Sequence, residues 1–308
     1  MENVFDIIII GGGPAGLAAA IYAGRAKMKT LVIEQAGFGG QITSTAEIEN
    51  YPGSMEVESG SSLVDRMHAQ AVKFGSKFVL DQVISVNLNS KPKEVVTFSA
   101  DYYADAVIIA TGATPAKIGC PGEEEFTGRG VSYCATCDGA FFEGLPLYVV
   151  GGGDAAVEEA MYLTRFGSEV NLIHRRDELR AAKSIQEKAF ANPKMHFIWN
   201  SVVKEFKGSD KLDEMVLENT KTGELTTIKH DMFGVFVFVG YTPQTGIYDE
   251  QLPLEKGYIR TDEEMKTAIP GVFAAGDCRI KSLRQVVTAV SDGAIAAVNA
   301  AKYVEENK

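Results

Sequence analysis

The chain has 308 residues, enough for two domains that each bury a core, and its mix of 45% apolar and 23% charged residues is that of a globular enzyme. A net charge of −11 excludes broad binding to nucleic acid or to an anionic membrane surface, because phosphate contacts need a basic face. No apolar run approaches the roughly 18–20 residues needed to cross a bilayer, and no leader-like segment precedes the first strand, so a cytoplasmic protein is expected. With only four cysteines, a close pair in that reducing compartment is more often catalytic than structural.

Val4 to Ile10 is an apolar, β-branched run, the pattern of a buried parallel strand. It ends in Gly11-Gly12-Gly13-Pro14-Ala15-Gly16, after which Leu17 to Ala26 has helical spacing and Thr30 to Ile33 forms a second strand closing on Glu34. Strand, glycine-rich turn, helix, strand and acid together make a dinucleotide-binding unit. Gly11, Gly13 and Gly16 let the backbone approach a pyrophosphate at the helix N-terminus, and Glu34 accepts ribose hydroxyls. The glycines alone would also suit a ligand-free strand–helix turn; the acid 23 residues after Gly11 favours the nucleotide. Ala106 to Ala110 is a further strand, ending in Thr111-Gly112-Ala113-Thr114-Pro115.

Cys134-Ala135-Thr136-Cys137-Asp138-Gly139 follows. A C-x-x-C pair serves zinc sites, haem attachment and redox centres alike. His68, His174, His196 and His230 are scattered and no second C-x-x-C accompanies the pair, so no metal site is expected. As a redox pair it would have a proton handler in Asp138, which could equally be a turn aspartate before Gly139. Cys120 and Cys278 read as ordinary small apolar residues.

The nucleotide pattern then recurs. Leu147 to Val150 is a strand, Gly151-Gly152-Gly153-Asp154-Ala155-Ala156 the turn, a helix-like run reaches Phe166, and Glu169 to Ile173 is the next strand. His174 stands 23 residues after Gly151, in the place Glu34 holds in the first unit, and Arg175, Arg176 and Arg180 follow. An acid there suits a free 2′-hydroxyl, whereas arginines suit a 2′-phosphate; a solvated basic helix start is the plainer alternative. The first unit is therefore expected to hold a flavin dinucleotide and the second NADPH.

Val235 to Val239 leads into Gly240-Tyr241-Thr242-Pro243, and glycine followed by proline after a strand marks a chain leaving its sheet. The predicted architecture is α/β: two Rossmann-like three-layer dinucleotide-binding domains, residues 116–242 inserted into a first domain made of 1–115 and 243–308. Pro270 to Asp277 is a strand ending in Gly-Asp, and Arg284 to Tyr303 a helix. Asp277 could accept from a sugar or ribityl hydroxyl, or simply cap a turn.

Taken in order, Gly11–Gly16, Gly39-Gly40-Gln41, Glu49-Asn50-Tyr51-Pro52-Gly53, Cys134–Gly139, Gly151–Ala156, His174–Arg180 and Gly271–Asp277 resemble the low-molecular-weight bacterial thioredoxin reductases along essentially the whole chain. The resemblance implies FAD in the first domain, NADPH in the inserted one, a thioredoxin disulfide as substrate and a homodimer joined through the first domains. It places Gly39, Gly40, Gln41, Asn50, Asp277, Arg284, Gln285 and Val286 near the flavin. It makes Cys137 the sulfur facing the flavin and Cys134 the one that attacks the partner. Asp154-Ala155 departs from a common Asn-Thr, a change expected to be tolerated because Gly151, Gly153 and Ala156 carry the turn. One flavin must meet both NADPH and the cysteine pair, so residues 116–242 are expected to rotate about the two crossings. A ferredoxin-dependent or other-carrier flavin disulfide reductase is the enzymatic alternative, and the arginines argue against ferredoxin. A flavin redox sensor is the non-enzymatic one, against which the intact Cys134, Cys137 and Asp138 weigh.

Overall fold

A computed structural model describes residues 3–44, 48, 50–54 and 59–308, so Glu49 of the Glu49–Gly53 motif lies outside the described residues. The chain forms two compact units, Met1–Thr114 with Thr242–Lys308, and Pro115–Tyr241. The first opens with β1 (Val4–Ile10), α1 (Pro14–Arg25), β2 (Thr30–Glu34), α2 (Gly60–Lys73), β3 (Lys77–Leu80), β4 (Val83–Asn87), β5 (Lys93–Thr97) and β6 (Asp101–Ile109). The chain crosses on β7 (Ala113–Pro115) into β8 (Val131–Ser132), α3 (Ala135–Asp138), β9 (Pro146–Gly151), α4 (Asp154–Leu163), β10 (Glu169–Ile173), α5 (Lys183–Phe190) and β11 (Met195–Ile198). A meander, β12 (Ser201–Gly208), β13 (Leu212–Asn219) and β14 (Leu225–Lys229), precedes β15 (Gly234–Phe238) and the return crossing on β16 (Tyr241–Pro243). The hairpin β17 (Leu254–Glu255) and β18 (Tyr258–Ile259), then β19 (Val272–Ala274) and α6 (Val286–Glu306), complete the first unit.

Period-2 alternation explains why β1 lies at the centre of its sheet. Ile7 and Ile9 enter one core with α1 and α6, Ile8 and Ile10 the core on the opposite face, and Ile7, Ile8 and Ile9 are each 0% exposed. The sheet order is β3-β2-β1-β6-β5-β4. One edge of β6 is divided: its first half pairs antiparallel with β5, and Val107–Ile109 pair parallel with β19. The order of the parallel strands reverses between β1 and β6, the switch point at whose carboxyl ends open α/β sheets bind ligands.

Helices α1 and α6 pack through small residues, among them Ala15, Ala19, Ala296 and Ala300. A Cβ at Gly293 would stand 2.0 Å from the Ala15 carbonyl oxygen, closer than any side chain allows. Gly293→Ala is accordingly expected to cost about 1–3 kcal/mol by overpacking, measurable as a lower denaturation midpoint.

The second unit repeats the plan with the five-stranded order β11-β10-β9-β15-β8, all parallel, and its own reversal between β9 and β15. Helices α4 and α5 cover one face. The meander covers the other through Val203, Phe206, Met215 and Leu217.

Sequence expectation and structure differ mainly at element ends. The final helix starts at Val286 rather than Arg284, because Gln285 is extended and forms a reciprocal cap with Thr288. Helix α4 ends at Leu163 where the run to Phe166 was expected, the last residues forming a turn with Phe166 N–H on Leu163 O at 3.0 Å.

Candidate redox and nucleotide-binding site

The cysteine pair is placed by the shortest strand of its sheet. Ser132 pairs with Phe236, two residues before Phe238, which pairs with Gly151 of the second glycine turn, and Cys134 follows two residues after Ser132. The disulfide and that turn thus follow the carboxyl ends of two strands of one sheet, β8 and β9, with β15 between them. Cys134 and Cys137 form a disulfide with a Cα–Cα distance of 5.3 Å. Short helix α3 packs against α4 so tightly that a Cβ on Gly139 would meet Leu163 and Phe166 at 3.0 Å. Both sulfurs belong to half-buried residues, and the Thr136 hydroxyl is 3.4 Å from Cys134 Sγ.

Asp138 stands in the turn before Gly139 but makes no side-chain cap there. Its Oδ2 accepts from the Ser132 hydroxyl at 2.6 Å, and Ser132 Oγ also accepts from Cys134 N–H at 3.1 Å. Burial pushes the Asp138 carboxyl above the usual range, opposed by the Ser132 bond. It therefore keeps its proton to higher pH than an exposed aspartate, which suits a proton donor next in sequence to a sulfur that must leave as a thiol. An acid whose folded pKa is raised stabilises the fold most at low pH, and that contribution is lost as pH rises through the raised value. Asp138→Asn is expected to slow disulfide turnover about a hundredfold and to flatten the alkaline fall in rate, without lowering the denaturation midpoint at neutral pH.

Sequence gave no sign of Ser132: its strand is two residues long and carries no periodicity. Burial pushes the Cys120 and Cys278 thiols up to about 11, leaving neither as a nucleophile at neutral pH. Among the described residues no group of three or more His, Cys, Asp or Glu side chains could hold a metal ion.

The second glycine turn is braced from beneath. His174 is 4% exposed, its Nδ1 lies 2.9 Å from Gly151 O, and a Cβ on Gly152 would collide with its ring at 2.2 Å. The ring lies under the turn, and burial lowers its pKa, keeping it neutral. Above, a Cβ at Gly153 would meet open space at the start of α4. Arg175, Arg176 and Arg180 are exposed and make no ion pair among the described residues; Arg180 N–H binds Gly152 O at 2.8 Å. Asp154 Oδ1 accepts from Ala182 N–H at 2.7 Å, so the residue that departs from the usual Asn fastens the arginine loop to the helix start. Ala156 is buried beneath the turn.

In the first unit Glu34 does the bracing with opposite polarity. Its Oε2 accepts from Gly12 N–H at 2.7 Å and its Oε1 from Gln35 N–H at 2.8 Å. A Cβ on Gly16 would stand 1.9 Å from Gly11 O, whereas at Gly13 the nearest atom is Gly39 O at 3.8 Å, leaving the N-terminus of α1 open. Gly39 N–H binds Gly12 O at 2.8 Å and brings Gly40 beside the turn. Gln41 Nε2 donates to Ala113 O, and Asn50 Nδ2 to Gln285 Oε1 at 3.2 Å. Arg284 lies over the Tyr258 ring at 4.5 Å, and Val286 packs with the cluster of Leu17, Ala18 and Val64.

Asp277 caps nothing. Its neighbour Gly276 is pressed against Ala15 of α1, where a Cβ would sit 2.9 Å from the Ala15 Cβ. The buried Oδ1 of Asp277 has no hydrogen-bond partner among the described residues, and burial raises its pKa against Lys281 and Arg284. Asp292, which sequence reading passed over, holds this loop through Gly276 N–H at 3.1 Å, Arg279 at 3.2 Å and Lys281 at 2.8 Å. Its only sequence signal is a lone charge on an alanine-lined helix face.

The pyridine nucleotide-disulphide oxidoreductase profile matches residues 5–293. The chain belongs to that family. It is 56% identical to a thioredoxin reductase of Peptoclostridium acidaminophilum, over 100% of this chain and 99% of that protein. A thioredoxin reductase of Bacillus subtilis (strain 168) is 49% identical, over 99% of this chain and 96% of that one. The solved thioredoxin reductase of Streptococcus pyogenes MGAS5005 superposes with a TM-score of 0.91 at 49% identity, covering 99% of this chain and 100% of its own. The family implies flavin and nicotinamide cofactors. The residues present fit both: two open glycine cradles at helix starts, an unpartnered buried Asp277 oxygen for a hydroxyl donor, and exposed arginines for a phosphate.

Proposed function

We propose that the protein is an NADPH-dependent thioredoxin-disulfide reductase, holding FAD in residues 1–115 with 243–308 and NADPH in residues 116–242. The observation that carries this reading is the Cys134–Cys137 disulfide, followed at once by a half-buried Asp138 whose carboxyl is pushed up by burial, just beyond β8 of the parallel sheet whose β9 leads into the second glycine turn. It is supported by thioredoxin reductases at 49–56% identity over nearly the whole chain.

Gly11, Gly13 and Gly16 would admit the FAD pyrophosphate at the start of α1, and Asp277 would accept from a flavin hydroxyl. Glu34, Gly40, Gln41, Asn50, Arg284, Gln285 and Val286 would complete that site. Gly151, Gly153 and Ala156 would form the NADPH turn, with Arg175, Arg176 and Arg180 on the 2′-phosphate and His174 beneath it. When bound, FAD and NADPH supply the two-electron chemistry that reduces the disulfide.

The protein's own residues do the rest. Opening the Cys134–Cys137 bond takes two electrons and yields one thiolate and, with a proton from Asp138, one thiol. Cys134 attacks a sulfur of the oxidised thioredoxin and forms a mixed disulfide. Cys137 then attacks Cys134, the disulfide reforms, and thioredoxin leaves as a dithiol. Residues 116–242 turn about the crossings at Gly112–Pro115 and Gly240–Pro243 between half-reactions, and a cross-link fixing the two units should stop turnover. The enzyme is taken to work as a cytoplasmic homodimer.

The test is NADPH-driven reduction of a thioredoxin disulfide by the purified protein. A flavin that stays oxidised on anaerobic addition of NADPH, yet bleaches with reduced ferredoxin, would turn the assignment to the ferredoxin-dependent alternative.

A further inference from the structure

A loop that reads a phosphate with arginines has to keep its own acids away from them. The segment after β10 interleaves the two: Arg175, Arg176, Asp177, Glu178, Leu179, Arg180. The structure draws Asp177 aside. Its Oδ2 lies 2.6 Å from Lys221 Nζ, on the hairpin turn between β13 and β14. That turn is rigid: Asn219 Oδ1 accepts from Lys221 N–H at 2.9 Å and from Thr222 N–H at 3.1 Å, and Gly223 N–H closes on Asn219 O at 2.8 Å.

The same corner of the unit grips the arginine backbone. Ser201 N–H binds His174 O at 3.0 Å, Asn200 N–H binds Arg176 O at 3.1 Å, and the Thr220 hydroxyl is 3.2 Å from both Arg175 O and Asn200 O. Asn200 achieves this in the left-handed conformation, with φ of 49°, and Thr220 N–H ties it to the hairpin at 2.7 Å. Three successive carbonyls, of His174, Arg175 and Arg176, are therefore satisfied by the β11–β12 turn and the meander hairpin. At its other end the loop is fastened to the glycine turn through Arg180 N–H and Asp154. Backbone restraint at both ends leaves the exposed guanidinium groups to solvent, so that binding has side chains but no loop backbone left to order.

We propose that Asn200, Thr220 and Lys221 are positioning residues for 2′-phosphate recognition: the meander holds the arginine loop in shape and sequesters the Asp177 carboxylate from Arg176 and Arg180. This rests on the NADPH reading of the second unit. Released from Lys221, Asp177 lies one residue from Arg176 and three from Arg180, and competes with the phosphate for them. The meander therefore acts in nucleotide choice as well as covering the sheet.

The test titrates the full-length flavoprotein by calorimetry with adenosine 2′,5′-bisphosphate and with 5′-AMP, which differ only in the 2′-phosphate. Lys221→Ala is expected to weaken the bisphosphate about fivefold, the scale of one exposed ion pair, and to leave 5′-AMP unchanged. Thr220→Val should shift it in the same direction. Asp177→Asn combined with Lys221→Ala should regain most of the lost affinity, because the competing charge is gone. If both single variants bind the two probes as the parent does, or lose both in equal proportion, or if Asp177→Asn restores nothing, the inference is wrong. A parent protein that does not distinguish the probes overturns the NADPH reading itself, and this inference with it.

Discussion

Replacing Cys137 by serine is expected to reduce NADPH-driven thioredoxin turnover by about three orders of magnitude or more, and Cys134→Ser to do the same. Exchange needs both sulfurs: one to form the mixed disulfide and one to resolve it. No other thiol can stand in. Cys278 is buried with 0% exposure, and burial pushes its thiol and that of Cys120 up to about 11, so neither is a ready nucleophile at neutral pH. Each variant should still accept electrons from NADPH at its flavin, since neither glycine cradle is touched. The measurement pairs steady-state thioredoxin reduction with anaerobic bleaching of the flavin. Substantial turnover in either variant would remove the disulfide from the electron path.

The second large effect is expected at the arginine loop. On the proposed NADPH reading, Arg175→Ala with Arg176→Ala would remove two charge-assisted contacts to the 2′-phosphate, a group carrying close to two negative charges. Such hydrogen bonds are worth about 1.5–3 kcal/mol each, and the lower figure applies to these exposed side chains. Two of them correspond to about a hundredfold in kcat/KM for NADPH. NADH has no 2′-phosphate, so its kcat/KM should hardly move and the preference should disappear. An equal fall with both nucleotides would mean that the loop supports the fold rather than reads the phosphate. His174 offers no second reading device: it lies buried beneath Gly152 and bonds Gly151.

Local pattern made much of the architecture legible. Val4–Ile10 and Glu169–Ile173 coincide with the strands read from β-branched runs, because strands buried on both faces must be apolar at every position. The two glycine turns were equally plain, since close approach at Gly11, Gly16, Gly151 and Gly152 leaves no room for a Cβ. Signals failed where the partner is remote in sequence or the element is short. Ser132 bonds Asp138 from a two-residue strand. Asp292 meets Gly276, Arg279 and Lys281 through tertiary packing alone. Asn200 and Thr220 reach the arginine loop from 24 or more residues away in sequence.

By itself the sequence determined which residues carry chemistry: the C-x-x-C with its aspartate, the duplicated glycine turns, and the acid in one unit against arginines in the other. These are local because a turn, a tight disulfide or a strand end is built from neighbours in the chain. Only the tertiary structure decided what surrounds them. It set the strand before Cys134 into the same sheet as the strand that ends at Gly151, through the register of β8 on β15 and of β15 on β9. It turned Glu34 and His174 into braces of opposite polarity, one accepting from an N–H and the other facing a carbonyl. It also left Asp138 and Asp277 half-buried, and the desolvation raises the pKa of each. Desolvation, register and long-range hydrogen bonds depend on which segments meet in space, and that is fixed by packing the whole chain rather than by any stretch of it.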